Sequence, residues 1–88
     1  MFLLISRYVK PLEEVDRWVR EHRAYLDTHY DAGHLLTSGP QNPRTGGVII
    51  SKHETREQVD AFLAGDPFVR EGVSEYEVIE FTPTRLPS

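Results

Sequence analysis

His22 stands four residues after Trp18, three after Val19 and four before Leu26, so on a helix its ring belongs to the apolar stripe. An imidazole there faces packed structure or an assembly seam, and it is the side chain whose ordinary pKa suits proton transfer near neutrality. Two short turns bring further polar groups. Ser38-Gly39-Pro40 and Asp66-Pro67-Phe68 each follow a regular element, and with His22 they are the places where polar chemistry is fixed against the packing pattern. Ser38 lacks the context of a nucleophile elbow, so its hydroxyl and the Gly39 amide suit donors to an oxyanion better than an attacking group. Arg7 has the charge to hold an anionic substrate, although Arg7 and Tyr8 face opposite sides of their strand and only one of them can reach a given pocket. Trp18, Tyr25 and Phe68 are the aromatic residues suited to an apolar pocket wall.

Each of these residues has a plainer structural role. His22 fits a satisfied core histidine, Asp66 a cap for the short turn that Pro67 opens, Ser38 an ordinary turn residue, and Arg7 a surface cation. Burial lowers an imidazole pKa and a neighbouring carboxylate raises it, so a base working near neutrality needs the two effects in balance.

The composition excludes several functional classes. The 88 residues contain no cysteine, which removes disulfides, thiolate metal sites and a cysteine nucleophile together, and is compatible with a reducing cytoplasm. Histidine spacing gives no metal site: His22 and His29 lie two turns apart, about 10 Å, and His34 and His53 have no paired ligand spacing. No glycine-rich phosphate loop or nucleotide fingerprint is present, so neither a metal nor another cofactor is expected. The net charge of −4, with basic residues scattered along the chain, argues against nucleic acid as partner. The opening Met1-Phe2-Leu3-Leu4-Ile5 run is too short for a signal-peptide core, and no stretch is long enough to span a membrane. A small-molecule substrate or ligand, a homodimer and a cytoplasmic location are the expectations.

The elements that must position these residues follow from periodicity. Residues 2–9 read as a buried strand, and Pro11 with Glu13, Glu14 and Asp16 opens a helix that Gly33 stops after Ala32. Residues 34–38 form a second strand ended by Gly39-Pro40, and residues 47–51 a third. Thr55-Arg56-Glu57-Gln58 is a capping box that starts a second helix closed by Gly65, and residues 73–81 form a fourth strand. One α+β domain over residues 1–88 results, a ferredoxin-like βαββαβ arrangement with a four-stranded antiparallel sheet and both helices on one face, with residues 82–88 a frayed tail. The uncovered face carries more apolar residues than solvent tolerates, so a second copy packing sheet to sheet is expected. The topology creates one geometric demand. The turns at Ser38 and Asp66 share a rim of the sheet, whereas His22 lies eleven residues past Pro11, about 16 Å down its helix. Contact between His22 and Asp66 needs residues 66–72 to fold back along the helix, or a long strand that sets the rim lower.

In this order and spacing, Arg7-Tyr8, His22-Arg23-Ala24-Tyr25-Leu26, Ser38-Gly39-Pro40, Asp66-Pro67-Phe68-Val69 and Gly72-Val73 resemble the YCII-related family. The resemblance covers nearly the whole chain and implies a dimeric α+β barrel with an active site built on a His–Asp pair, here His22 and Asp66. It also implies an enzyme of lyase or isomerase type, since a dehydrochlorinase of chlorinated hydroxyquinols is among the family's members. On that reading the chain acts without a cofactor on a small cyclic or phenolic molecule, with His22 as general acid or base, Asp66 as its orienter and Ser38 with Gly39 as an anion-stabilising pair. The remaining expected pocket residues are Arg7, Trp18, Tyr25, Pro40 and Phe68. The alternative is a non-catalytic dimeric protein that binds a small molecule or serves as an accessory subunit.

Overall fold

A computed structural model describes residues 1–86. Strand β1 (Phe2–Tyr8) buries Phe2, Leu4 and Ser6 on one face, as its period-two pattern requires. Helix α1 (Leu12–Asp16) follows Pro11, and a second helix, α2, runs Val19–Asp31. The single helix expected between Pro11 and Ala32 is therefore divided. Trp18 leaves helical geometry at φ −112° and ψ 0°, and its side chain packs against the Val15, Phe68 and Val73 cluster, so tertiary packing overrides local helix propensity at this point.

Two helix ends are built alike. After α2, Gly33 adopts φ +78°, and the amides of Gly33 and His34 donate to the carbonyls of Tyr30 and His29. This is the paired 5→2 and 6→1 bonding of a Schellman motif, and it turns the chain straight into strand β2 (Leu35–Pro40). Gly72, at φ +70°, repeats the device before strand β4 (Ser74–Glu80).

β2 pairs with β3 (Gly47–Ser51), and the register shifts between Leu35 and Thr37. The strand continues through Pro40, beyond its expected end, because β2 is an edge strand and an edge accommodates a missing backbone donor. The bulge at Leu36 places Leu35 opposite Ser51 and Ser38 opposite Ile49, both on the helix-covered face. Helix α3 (Arg56–Gly65) begins with the expected capping box, in which Thr55 accepts from the Gln58 amide and the Gln58 side chain accepts from the Thr55 amide. Asp66 then caps the short helix α4 (Pro67–Arg70) by accepting from the Phe68 amide.

The antiparallel sheet has the order β2-β3-β1-β4, with both main helices on one face, giving the ferredoxin-like α+β fold. The larger core cluster joins Phe2, Leu4, Leu26, Ile49, Val59 and Phe62, while Val15, Phe68 and Val73 form a smaller one beneath α1 and α4. The opposite face is uncovered: Leu3 pairs with Ile50 and Ile79, and Ile5 with Val48, leaving an apolar patch on which Ile79 is 40% exposed. Thr82 to Leu86 form no regular element, and the last two residues of the expected tail lie outside the described residues. Among the described residues no helix is long and apolar enough to cross a membrane.

Candidate active site

His22 and Asp66 are in contact. His22 Nδ1 lies 2.7 Å from Asp66 Oδ1, with the imidazole 14% exposed and the carboxylate fully buried. Two structural features bring about this contact. Dividing the first helix at Trp18 puts His22 in the opening turn of α2, and α4 folds back to pack against that turn. Phe68 completes the clamp, its ring stacked on the imidazole at 3.9 Å between centroids and 2° between planes.

The carboxylate is held by three donors. Oδ1 accepts from the Phe68 amide at 3.0 Å as well as from His22, and Oδ2 accepts from the Tyr76 hydroxyl at 2.9 Å. A buried carboxylate without such partners would carry a heavy desolvation cost, so the donors are what allow it to sit there. Asp66 thus acts as a cap and as the imidazole's partner with the same oxygen. Because Oδ1 receives the Nδ1 proton, the lone pair of the neutral ring is left on Nε2. Burial, reinforced by the Asp66 charge, pushes the Tyr76 hydroxyl well above the ordinary tyrosine pKa of 10.0, and it pushes the Tyr25 hydroxyl in the same direction. Tyr76 therefore remains a proton donor to Asp66.

His22 and Phe68 open onto a cavity of about 270 Å³, with Ser38, Gly39 and Pro40 on its other side. The Leu36 bulge is what turns Ser38 towards this space, and its Oγ is 2.6 Å from the Tyr30 hydroxyl. Apolar engineered cavities of about 150 Å³ admit benzene, so this space suits one ring bearing several substituents.

Three expected pocket residues lie elsewhere. Arg7 is on the opposite sheet face, 74% exposed and paired with Glu75 at 3.0 Å, because its parity along β1 is opposite to that of Leu4 and Ser6. Trp18 packs into the small cluster behind the cavity. Tyr25 turns towards α3, where its hydroxyl donates to the Phe62 carbonyl at 2.7 Å. Tyr8, Arg23 and Arg44 line the cavity instead. Tyr8 shares the strand parity of Phe2 and Leu4, a signal present in the alternation. Arg44 reaches in from the β2–β3 loop, lies 5.5 Å from the Tyr8 ring centroid and pairs with Asp16 at 2.6 Å, which nothing in the local sequence announces.

The histidines kept apart by sequence spacing also come together. Ligand-capable nitrogens of His29, His34 and His53 all lie within 4.8 Å of one another. Burial, with repulsion from neighbouring histidines, lowers the pKa of His29 and His53 below the usual imidazole value.

The fold and cavity define a small ferredoxin-like α+β protein with a carboxylate-backed imidazole at the mouth of a ring-sized pocket. The profile of the YCII-related domain matches residues 1–82, and the chain belongs to that family. It is 33% identical to the xenovulene A biosynthesis cluster protein asL2 of Sarocladium schorii, over 72% of this chain and 65% of that protein. It is 35% identical to protein YciI of Escherichia coli, over 62% of this chain and 66% of that protein, so the matches span just under two thirds of either relative. Among solved structures, 5-chloro-2-hydroxyhydroquinone dehydrochlorinase (TftG) from Burkholderia phenoliruptrix, in complex with 2,5-dihydroxybenzoquinone, shares the fold. The TM-score is 0.77 at 24% identity, covering 93% of this chain and 94% of the dehydrochlorinase.

Proposed function

We propose that the chain is a lyase or isomerase acting on a small cyclic, hydroxylated molecule of the phenol or quinone class, with His22 as general acid and base. The observation that carries this reading is the 2.7 Å contact between a fully buried carboxylate and an imidazole that borders a ring-sized cavity. Nε2 takes a proton from a ring hydroxyl or an adjacent carbon, and Asp66 stabilises the imidazolium formed. The electron pair left behind moves into the ring. His22 returns the proton to a ring carbon, which by itself gives isomerisation; where that carbon bears chloride, removal of a second hydroxyl proton from the keto tautomer then expels chloride and gives elimination of HCl. Both outcomes balance without an external oxidant or reductant.

Ser38 Oγ and the guanidinium groups of Arg23 and Arg44 supply the positive and donor side of the pocket, where an enolate or phenolate oxygen develops charge. Gly39, Pro40 and Phe68 serve as wall. The dehydrochlorinase with the same fold is named for such a substrate and was solved with a hydroxyquinone, which supports the choice of class.

The exposed apolar face of the sheet supports a homodimer that closes two sheets into a barrel. Leu3, Ile5, Val48, Ile50 and Ile79 are cross-strand neighbours there, and a second copy packed on this face would remove their apolar surface from water.

The test uses a panel of chlorinated and unchlorinated hydroxyhydroquinones and hydroxyquinones, followed by ultraviolet absorbance and by chloride release. His22→Ala is expected to lower kcat at least about 100-fold and to abolish the imidazole limb of the pH–rate profile. Unchanged turnover in that variant would remove the imidazole from the chemistry. Saturable binding of the panel without turnover by the wild type would instead favour the non-catalytic binding protein.

A further inference from the structure

A second polar cluster lies at the far end of α2, seven residues or about 10 Å from His22. Its assembly follows from the backbone. The Schellman turn returns the His34 amide to the His29 carbonyl at 2.9 Å, and the Lys52 amide donates to the His34 carbonyl at 2.7 Å, which brings the end of β3 alongside. Two stretches of chain are thereby tied at one point, the helix-end turn contributing His29 and His34 and the residues after β3 contributing His53.

The ring nitrogens converge closely enough to share one ion, and the contact between His29 and His34 also satisfies the distance of a hydrogen bond. Nδ1 of His29 and Nδ1 of His34 are 3.3 Å apart, which matches the tetrahedral edge of about 3.3 Å expected for nitrogens bound to one ion at 2.0–2.1 Å. His53 is buried, and its Nδ1 is engaged by the Ser51 hydroxyl, which also accepts the His53 amide at 3.1 Å. That arrangement fixes the His53 ring and frees Nε2, as an oxygen partner behind a metal-bound imidazole does. Phe62 packs edge-on against His29 at 4.6 Å between centroids and supports the group from the core side.

We propose that His29, His34 and His53 form a binding site for a zinc-class divalent transition-metal ion, with Ser51 orienting His53 and the fourth position open to water. Three neutral imidazoles and no carboxylate favour zinc, cobalt, nickel or copper over magnesium or calcium. The ion would fasten the end of α2 to β2 and β3 at the sheet edge, away from the cavity.

The probe is cobalt(II) added to chelator-treated full-length protein. The wild type is expected to bind one equivalent with the intense visible bands of a four-coordinate ion, and zinc(II) should displace it. His34→Gln and His29→Gln, both outside the two hydrophobic clusters, should each weaken cobalt binding more than about 100-fold while circular dichroism shows the fold retained; Ser51→Ala should weaken it about 10–100-fold. His22→Ala should bind cobalt like the wild type. Absence of a four-coordinate spectrum in the wild type, unchanged binding in the His29 and His34 variants, or loss of binding in His22→Ala would each overturn the assignment.

Discussion

Tyr76→Phe isolates the support beneath the His22–Asp66 pair. The substitution keeps the ring that packs against the larger core and removes only the hydroxyl that donates to Asp66 Oδ2 at 2.9 Å. Oδ2 has no second side-chain donor among the described residues, so the variant leaves one oxygen of a fully buried carboxylate without its partner. Hydrogen bonds to charged groups contribute about 1.5–3 kcal/mol, and the loss should fall within that span. In a domain of this size 1 kcal/mol moves Tm by about 4–8 °C, so a fall of roughly 10 °C is expected. The wild type should also show an alkaline signature. Below the ordinary value of 10.0 the hydroxyl is protonated in both folded and unfolded chains, and its contribution is fully present. Above it, the unfolded chain releases a proton that the fold retains, so stability falls with rising pH by up to about 1.4 kcal/mol per pH unit. Urea unfolding from pH 8 upward measures both effects. Tyr76→Phe should lower the midpoint at pH 8 and flatten the alkaline slope, leaving the smaller contribution of Tyr25. A variant within about 0.5 kcal/mol of the wild type, with the slope intact, would refute the role given to the hydroxyl.

Gly46→Ala should not fold, because an added Cβ would meet the Ser6 carbonyl oxygen at 1.8 Å and the clash is with backbone that cannot swing aside; the expected loss exceeds about 4 kcal/mol, and a native circular dichroism spectrum with an unchanged urea midpoint would contradict the β1–loop contact. Ile50→Glu introduces a charge on the uncovered sheet face, so under the proposed homodimer sedimentation equilibrium should give a dimer for the wild type and a monomer for the variant while far-ultraviolet dichroism stays native; a monomeric wild type, or an unchanged association state in the variant, would remove the seam from this face.

The parts of the fold legible in the sequence are those governed by local rules. The apolar run of residues 2–9 marks β1, Thr55 and Gln58 announce α3, and Asp66-Pro67 announces the short turn that becomes α4, because caps and apolar runs act within a few residues. The division of the first helix was not legible, since Trp18 breaks it for contacts with Phe68 and Val73 some 50 positions away. The bulge at Leu36 has no Gly or Pro to mark it, yet it sets which way Ser38 points. For the same reason Arg7 looked as eligible as Tyr8 until the sheet assigned faces, and Arg44 became a pocket residue only when the β2–β3 loop folded over Tyr8. The three histidines at the sheet edge show the limit most plainly. Spacing rules find metal ligands on one element, whereas these meet through a helix-end turn and a strand pairing.

The site's chemistry and the fold's stability share one residue. Asp66 Oδ1 caps α4 and also accepts a hydrogen bond from His22 Nδ1, and the Phe68 amide it holds belongs to the residue whose ring stacks on His22. Removing Asp66 therefore releases the cap, the ring and the carboxylate together, and loss of function in Asp66→Ala would not separate orientation of the imidazole from collapse of α4. His22 has no such second duty, because it contributes one partly exposed ring and caps nothing. The economy of the arrangement has a physical consequence. A carboxylate pinned by a helix cap and a tyrosine is held in one orientation by donors other than the imidazole, and such fixed polarity suits the acid–base role proposed for the pair.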